Sequence, residues 1–195
     1  MSFFGDLFHR EKKGESVVLI DIGADSVAGA YARYRTGAVP TLLYTRRLPI
    51  EIHGKEPHER AMLRALDVLG DALIREGAPT LSRYTGSGSA DNILIAIGAP
   101  WQKTFIHTEQ LEQGEPFLFT ESLVKKALEK TRSVAKGQLL VDESVIGTIL
   151  NGYETRDPYG KETYRASVIV LTSLIDESVA EGIQATLRKL FHTQK

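Results

Sequence analysis

The chain alternates short apolar runs with polar breaks, and the spacing of the apolar positions changes along it. Val17-Val18-Leu19-Ile20 ends in Asp21, and Gly23-Ala24-Asp25-Ser26 separates it from a second run that begins at Val27. Val27–Tyr34 reads as a strand with Val27, Gly29, Tyr31 and Arg33 on one side. Thr36-Gly37-Ala38-Val39-Pro40 supplies a turn, and Thr41–Ile50 a third strand. Three strands joined by tight links predict an antiparallel meander. From about Glu59 to Glu76 the period becomes helical, carried by Met62, Leu66, Leu69 and Leu73, and Gly77 and Pro79 read as its end. Ser82–Asn92, with Thr85-Gly86-Ser87-Gly88-Ser89, reads as a surface loop. Ile93–Ile97 is a short buried strand closing at Gly98-Ala99-Pro100, a companion for Val17–Ile20 in one sheet.

From Trp101 the pattern changes. Gln102–Leu111 reads as an exposed strand, with Thr104, Ile106 and Thr108 alternating against Phe105 and His107. Thr120 is placed to cap a helix carrying Leu123, Val124, Ala127 and Leu128. Val145–Tyr153 reads as a strand, Asp157-Pro158-Tyr159-Gly160 as a turn and Tyr164–Leu171 as another strand. Ser173 and Asp176 form an S-x-x-D start for a last helix with Val179, Ile183, Leu187 and Leu190 on one face. The second half thus predicts strand, helix, strand, strand, helix, a small α+β unit. Trp101 reads as a packing anchor where the two halves meet.

The 195 residues are 42% hydrophobic and 25% charged, with a net charge of -1, which gives no general attraction to nucleic acid or to an anionic membrane. With no cysteine, disulfides, thiolate nucleophiles and cysteine metal sites are excluded. No apolar run approaches the ~20 residues of a membrane span. Asp6 breaks the first apolar stretch, which does not read as a signal peptide. Phe3, Phe4, Leu7 and Phe8 would share one face of a two-turn helix followed by Arg10, Lys12 and Lys13, a candidate contact for a partner groove or a membrane surface.

Little else carries chemistry. His9, His53, His58, His107 and His192 share no spacing, and His53, His58 and Glu59 come nearest to a cluster. Asp142-Glu143 and Asp176-Glu177 sit at element ends, and no Ser, His and Asp set is placed for a triad. The Gly-Ser loop matches neither phosphate-loop pattern, since it lacks Gly-Lys-Ser/Thr and leads into a strand. The first hairpin is the best candidate. Asp21 would sit at the tip of a buried strand with its carboxylate leaving the sheet, and Gly23 permits a tight turn. Successive N–H groups there can point at an anion while the acid holds Mg²⁺ through water. A hairpin that only turns is the alternative reading of the same residues.

Leu19-Ile20-Asp21-Ile22-Gly23-Ala24-Asp25-Ser26-Val27 resembles the first phosphate motif of the actin-like ATPase superfamily, in particular its FtsA-like and PilM-like members. Asn151-Gly152-Tyr153, Asp157-Pro158-Tyr159-Gly160 and Tyr164-Arg165-Ala166-Ser167-Val168, with the preceding helix Thr120–Glu129, resemble their inserted SHS2 (1C) subdomain. The resemblance covers nearly the whole chain as motif order. It implies an α/β fold with residues 1–15 as a leader, 16–99 as a partial, ribonuclease H-like subdomain 1A, and 100–195 as the SHS2-type interaction subdomain. It also implies ATP and Mg²⁺ at the hairpin, with Asp21 on metal-bound water and the backbone of Gly23, Ala24, Asp25 and Ser26 around phosphate. It implies a cytoplasmic scaffold peripheral to the inner membrane, which recruits protein partners there and self-assembles.

Two departures qualify this. Ala28 stands where many relatives carry a lysine or similar polar residue, and the second phosphate motif, the adenosine motif and the second lobe have no counterpart in these residues. The expectation is a chain that is not ATPase-competent alone and stops where the inserted subdomain should return to the core. A PilM-like scaffold for type IV pilus assembly is favoured by the Phe- and Lys-rich leader. The alternatives are an FtsA-like cell-division ATPase fragment anchoring a filament, and a stand-alone SHS2 module without nucleotide. Changing Phe3, Phe4 and Phe8 together to Ser is expected to weaken co-sedimentation with the partner or with liposomes while far-UV circular dichroism stays constant. Unchanged co-sedimentation would remove the leader from the contact.

Overall fold

The computed structural model describes residues 14–35, 37–132 and 134–191. They form a mixed α/β chain of two units, residues 14–101 with 179–191, and residues 102–178.

In the first unit, β1 (Glu15–Ile22), β2 (Ser26–Tyr34), β3 (Thr41–Pro49) and β4 (Asn92–Ile97) form one sheet in the order β3-β2-β1-β4. β1 runs antiparallel to β2 and parallel to β4, with Leu19 opposite Ala30 on one side and Leu94 on the other. The predicted meander and the pairing of Val17–Ile20 with Ile93–Ile97 are both present. A parallel pair needs a long crossover. It is supplied by α1 (His58–Ala72), a π-helical turn (Leu73–Gly77) and α2 (Ala78–Thr85). Met62, Leu66, Leu69 and Leu73 are fully buried, as their spacing predicts. Each contributes about 1.5–3 kcal/mol by leaving water. They lie over the sheet face that carries Ile20, Ile22 and Val27, and Leu73 rests where a side chain on Gly29 would stand.

The helix does not end at Gly77 and Pro79. The π-helical turn shifts the hydrogen-bond register, and Pro79 falls in the first turn of α2, where its missing N–H costs nothing. Helix continues through Thr85, so the loop expected from Ser82 begins only at Gly86, which takes φ +78° and donates to the Ser82 carbonyl. Gly77 is required by contact. A Cβ there would lie 2.6 Å from the Tyr31 ring and 2.9 Å from the Tyr44 ring.

α4 (Glu177–Leu190) corrects two further expectations. Ser173 does not start it, because it is buried within the preceding strand, and Asp176 is that strand's last residue. The helix also packs on α1 and belongs to the first unit from Val179 onward, so the second unit is not 100–195. The cause is its apolar stripe of Val179, Ile183 and Leu187, together with Gly182 facing Leu63 and Leu190 facing Gly70. The chain therefore does return to the first sheet's helical layer.

The second unit holds β5 (Gln102–Leu118), α3 (Glu121–Thr131), β6 (Gln138–Leu150), β7 (Tyr153–Glu154) and β8 (Glu162–Asp176), paired antiparallel in the order β5-β8-β6-β7. β5, β6 and β8 run well beyond the predicted segments. Phe117, Phe119, Val124, Leu128, Leu150, Ala166, Val168 and Val170 form the core. Thr120 caps α3 as predicted, its hydroxyl accepting from the Leu123 amide at 3.2 Å. Asn151 and Gly152 both take positive φ, as a two-residue hairpin turn demands. The Asn151 side-chain oxygen accepts from Thr163 Oγ1, Tyr164 N and Arg165 N at 2.9–3.3 Å. The pairing of β6 with β8 slips between Leu140 and Asp142 and again between Val145 and Gly147.

Gly77→Ala sets two effects against each other. Alanine gains up to about 1 kcal/mol of helix propensity, whereas overpacking against the Tyr31 and Tyr44 rings costs ~1–3 kcal/mol. Tyr31 is itself buried and cannot yield, so the clash wins. Urea unfolding is expected to show a net loss of about 1–2 kcal/mol.

Candidate functional site

The link between β1 and β2 is Gly23-Ala24-Asp25, closed by the Gly23 amide on the Ser26 carbonyl at 2.9 Å. Its three carbonyls each accept a bond from elsewhere in the first unit. The Trp101 indole donates to Gly23 O at 2.7 Å. His58 Nε2 lies 3.0 Å from Ala24 O, and because a carbonyl only accepts, the proton sits on Nε2. The Ile50 amide donates to Asp25 O at 2.7 Å. His58 and Trp101 also meet ring to ring, with centroids 4.6 Å apart. The amides of Ala24 and Asp25 make no hydrogen bond to any described residue.

His58 is held in place by the loop before α1. Arg64 donates to the Glu56 carboxylate at 2.9 Å and to the Glu51 carbonyl at 2.5 Å, tying residues 51–56 to the helix. The Arg64 hydrogen bond, helped by the His53 amide, keeps the Glu56 carboxyl below its usual range. His53 itself turns to Glu51, with 3.7 Å between Nε2 and the carboxylate, so His53, His58 and Glu59 do not converge. No group of three acidic or histidine side chains able to hold a metal exists among the described residues.

Asp21 stands one residue before the end of β1, with Ala28 of β2 and Ala96 of β4 opposite it. Its side chain opens onto the face away from the helices, where Leu19, Ala28, Ala30, Thr45, Arg47 and Leu94 line an open groove of about 480 Å³. Arg47 of β3 reaches over Ala28. Its Nη2 lies 3.5 Å from Asp21 Oδ2, and its Nη1 donates to Ser26 Oγ at 2.8 Å. The Ser26 hydroxyl in turn donates to the Asp25 carboxylate at 3.1 Å. With the Asp21 and Arg47 side chains 58% and 62% exposed, the ion pair contributes only ~0–1 kcal/mol to stability.

Of the expected site residues, Asp21, Gly23, Ala24, Asp25 and Ser26 are thus gathered at one end of the first sheet. Phe3, Phe4, Leu7 and Phe8 lie outside the described residues. Sequence reasoning missed Arg47, and it named His58 only beside His53 and Glu59, not at the hairpin. Arg47 had a readable signal, since alternation along β3 aligns it with Ala28. His58 had none, because its contact spans 34 residues.

The residues present do not fit Mg²⁺, which takes oxygen ligands in near-octahedral array. Asp21 faces a guanidinium, and the Asp25 carboxylate accepts from Ser26.

No family model and no curated protein matches the sequence. Among solved structures, a PilM-PilN type IV pilus biogenesis complex aligns over 91% of this chain and 45% of that chain, at 13% identity and a TM-score of 0.44. A Bacteroides thetaiotaomicron protein of unknown function with an actin-like ATPase fold aligns over 92% of this chain and 52% of its own, at 11% identity and a TM-score of 0.33. An Aquifex aeolicus PPX-GPPA enzyme aligns over 43% of this chain and 36% of its own, at 15% identity and a TM-score of 0.26. The chain spans about half the length of the first two.

Proposed function

We propose that the chain is a non-catalytic, actin-like scaffold of the PilM type, which recruits a protein partner at the cytoplasmic side of the inner membrane. The path of the chain carries this reading. After β4 the chain leaves the first sheet at Trp101, builds a unit with its own core over 102–178, and comes back as α4 on α1. Among the described residues the partners of the hairpin turn (Trp101, His58, Ile50 and Arg47) lie in the first unit, and the second unit has a core of its own. That unit carries large apolar side chains in the open. Ile106, Val141 and Ile146 are 61%, 48% and 52% exposed. Apolar groups kept in water beyond isolated cases mark contact surfaces. The motif order read from the sequence supports the actin-like assignment, and the Phe-rich leader supports the pilus branch over the division branch.

The test is a pull-down from detergent-solubilised inner membranes, with phosphate release measured in parallel. The wild-type chain is expected to retain a membrane protein, and Ile106→Asp with Ile146→Asp to lower that retention about tenfold, since each buried apolar anchor is worth 1–3 kcal/mol. Phosphate release from Mg·ATP is expected at background. Retention indifferent to both substitutions, or sustained turnover by the chain alone, would count against the proposal.

A further inference from the structure

We infer that Arg47 takes the place of a metal ion at the hairpin, so that this turn is set by an internal cation and Asp21 is not a magnesium ligand in this chain. The inference rests on the geometry of the first unit and stands apart from the scaffold reading. Asp21, Ala28 and Arg47 form one row across three strands, with Asp21 opposite Ala28 and Ala28 opposite Arg47. Side chains in such a row share a face. Because residue 28 is alanine, nothing rises between the outer two, and the long arginine crosses to the carboxylate. There its two terminal nitrogens divide their work. One sits 3.5 Å from Asp21 and the other donates at 2.8 Å to Ser26.

A hydrated divalent ion at Asp21 would need this same space, between strand and turn, and would likewise set positive charge against the carboxylate. The guanidinium is permanently charged and rigidly forked, and it is tethered only two strands away. It is therefore present at a high effective concentration whatever the solution holds. It also bonds Ser26, which links through its hydroxyl to Asp25, so one side chain joins the end of β1 to the start of β2. A metal bound to Asp21 would have to displace both contacts. The other carboxylate at the turn, Asp25, already accepts from Ser26, and no three-ligand group exists among the described residues.

The experiment follows the backbone amides of residues 21–27 by ¹H–¹⁵N correlation spectra of the full chain while MgCl₂, and then Mg·ATP, is raised into the millimolar range. Wild type is expected to show no saturable shift at these amides. Arg47→Met, similar in bulk but neutral, is expected to show saturable magnesium-dependent shifts, stronger than any wild-type response by up to about fivefold in apparent affinity, the scale of an exposed ion pair. Ala28→Leu places a side chain under the crossing arginine and is expected to behave like Arg47→Met. It serves as the second variant should the first fold poorly, and the same spectra report folding. A saturable wild-type response overturns the inference. So does a folded Arg47→Met or Ala28→Leu chain whose hairpin amides ignore magnesium, for then Arg47 is not what keeps the ion out. Neither result bears on partner retention by the second unit.

Discussion

The parallel pairing of β1 with β4 is the constraint on which the first unit turns. Two strands running the same way deliver their ends to the same edge of the sheet. With Ile22 beside Ile97, the turn that follows β1 and the segment that follows β4 emerge together. Trp101 then lies within reach of Gly23, and its indole N–H, which must find an acceptor once the ring is buried, finds that carbonyl. His58 meets the same ring at a tilt of 51° and takes the next carbonyl. Drawing the carbonyls toward the protein leaves two turn amides without a partner among the described residues, which is the polarity an anion-facing turn requires. Part of this orientation comes from a residue 78 positions away.

Glycine gives the helical layer its closeness. Gly29 admits Leu73, Gly70 admits Leu190, Gly182 admits Leu63, and Gly77 lies against two tyrosine rings. Where a side chain is missing, its neighbour fills the space, so interior density is kept while backbones approach. The same economy appears on the far face, where Ala28 leaves the path that Arg47 takes.

Period and punctuation made much of the architecture legible. Alternating apolar positions located the meander, the stripe from Met62 to Leu73 located α1, and Thr120 marked the start of α3. The misreadings share one cause, which is that local chemistry has more than one use. Gly77 and Pro79 look like a stop, yet one is demanded by tyrosine rings and the other is harmless in a first turn. Ser173 and Asp176 look like a helix start, yet β8 runs to Asp176, because its central place in the second sheet gives Ser173 ladder partners on both sides. The last helix looks like part of the second unit because it follows it in sequence, whereas burial of its stripe is decided by α1. Gly23 to Ser26 could be found as a turn, but which way its peptide groups point depends on His58, Trp101 and Ile50 and cannot be spelled in nine residues.

The two slips in β6 have a consequence for how anything attaches to the second unit. Among the described residues this strand is met along its outer side by β7 at Ile149 and Leu150 and by the Thr155 amide on the Thr148 carbonyl. An unbroken strand in that position would invite another chain to add on through its peptide groups, with fibre growth as the hazard. Here the ladder is interrupted at Val141 and at Ile146, which spoils the template and kinks the strand. A visitor must then be recognised by the shape of protruding side chains, and selectivity is gained where stickiness would otherwise have been inherited.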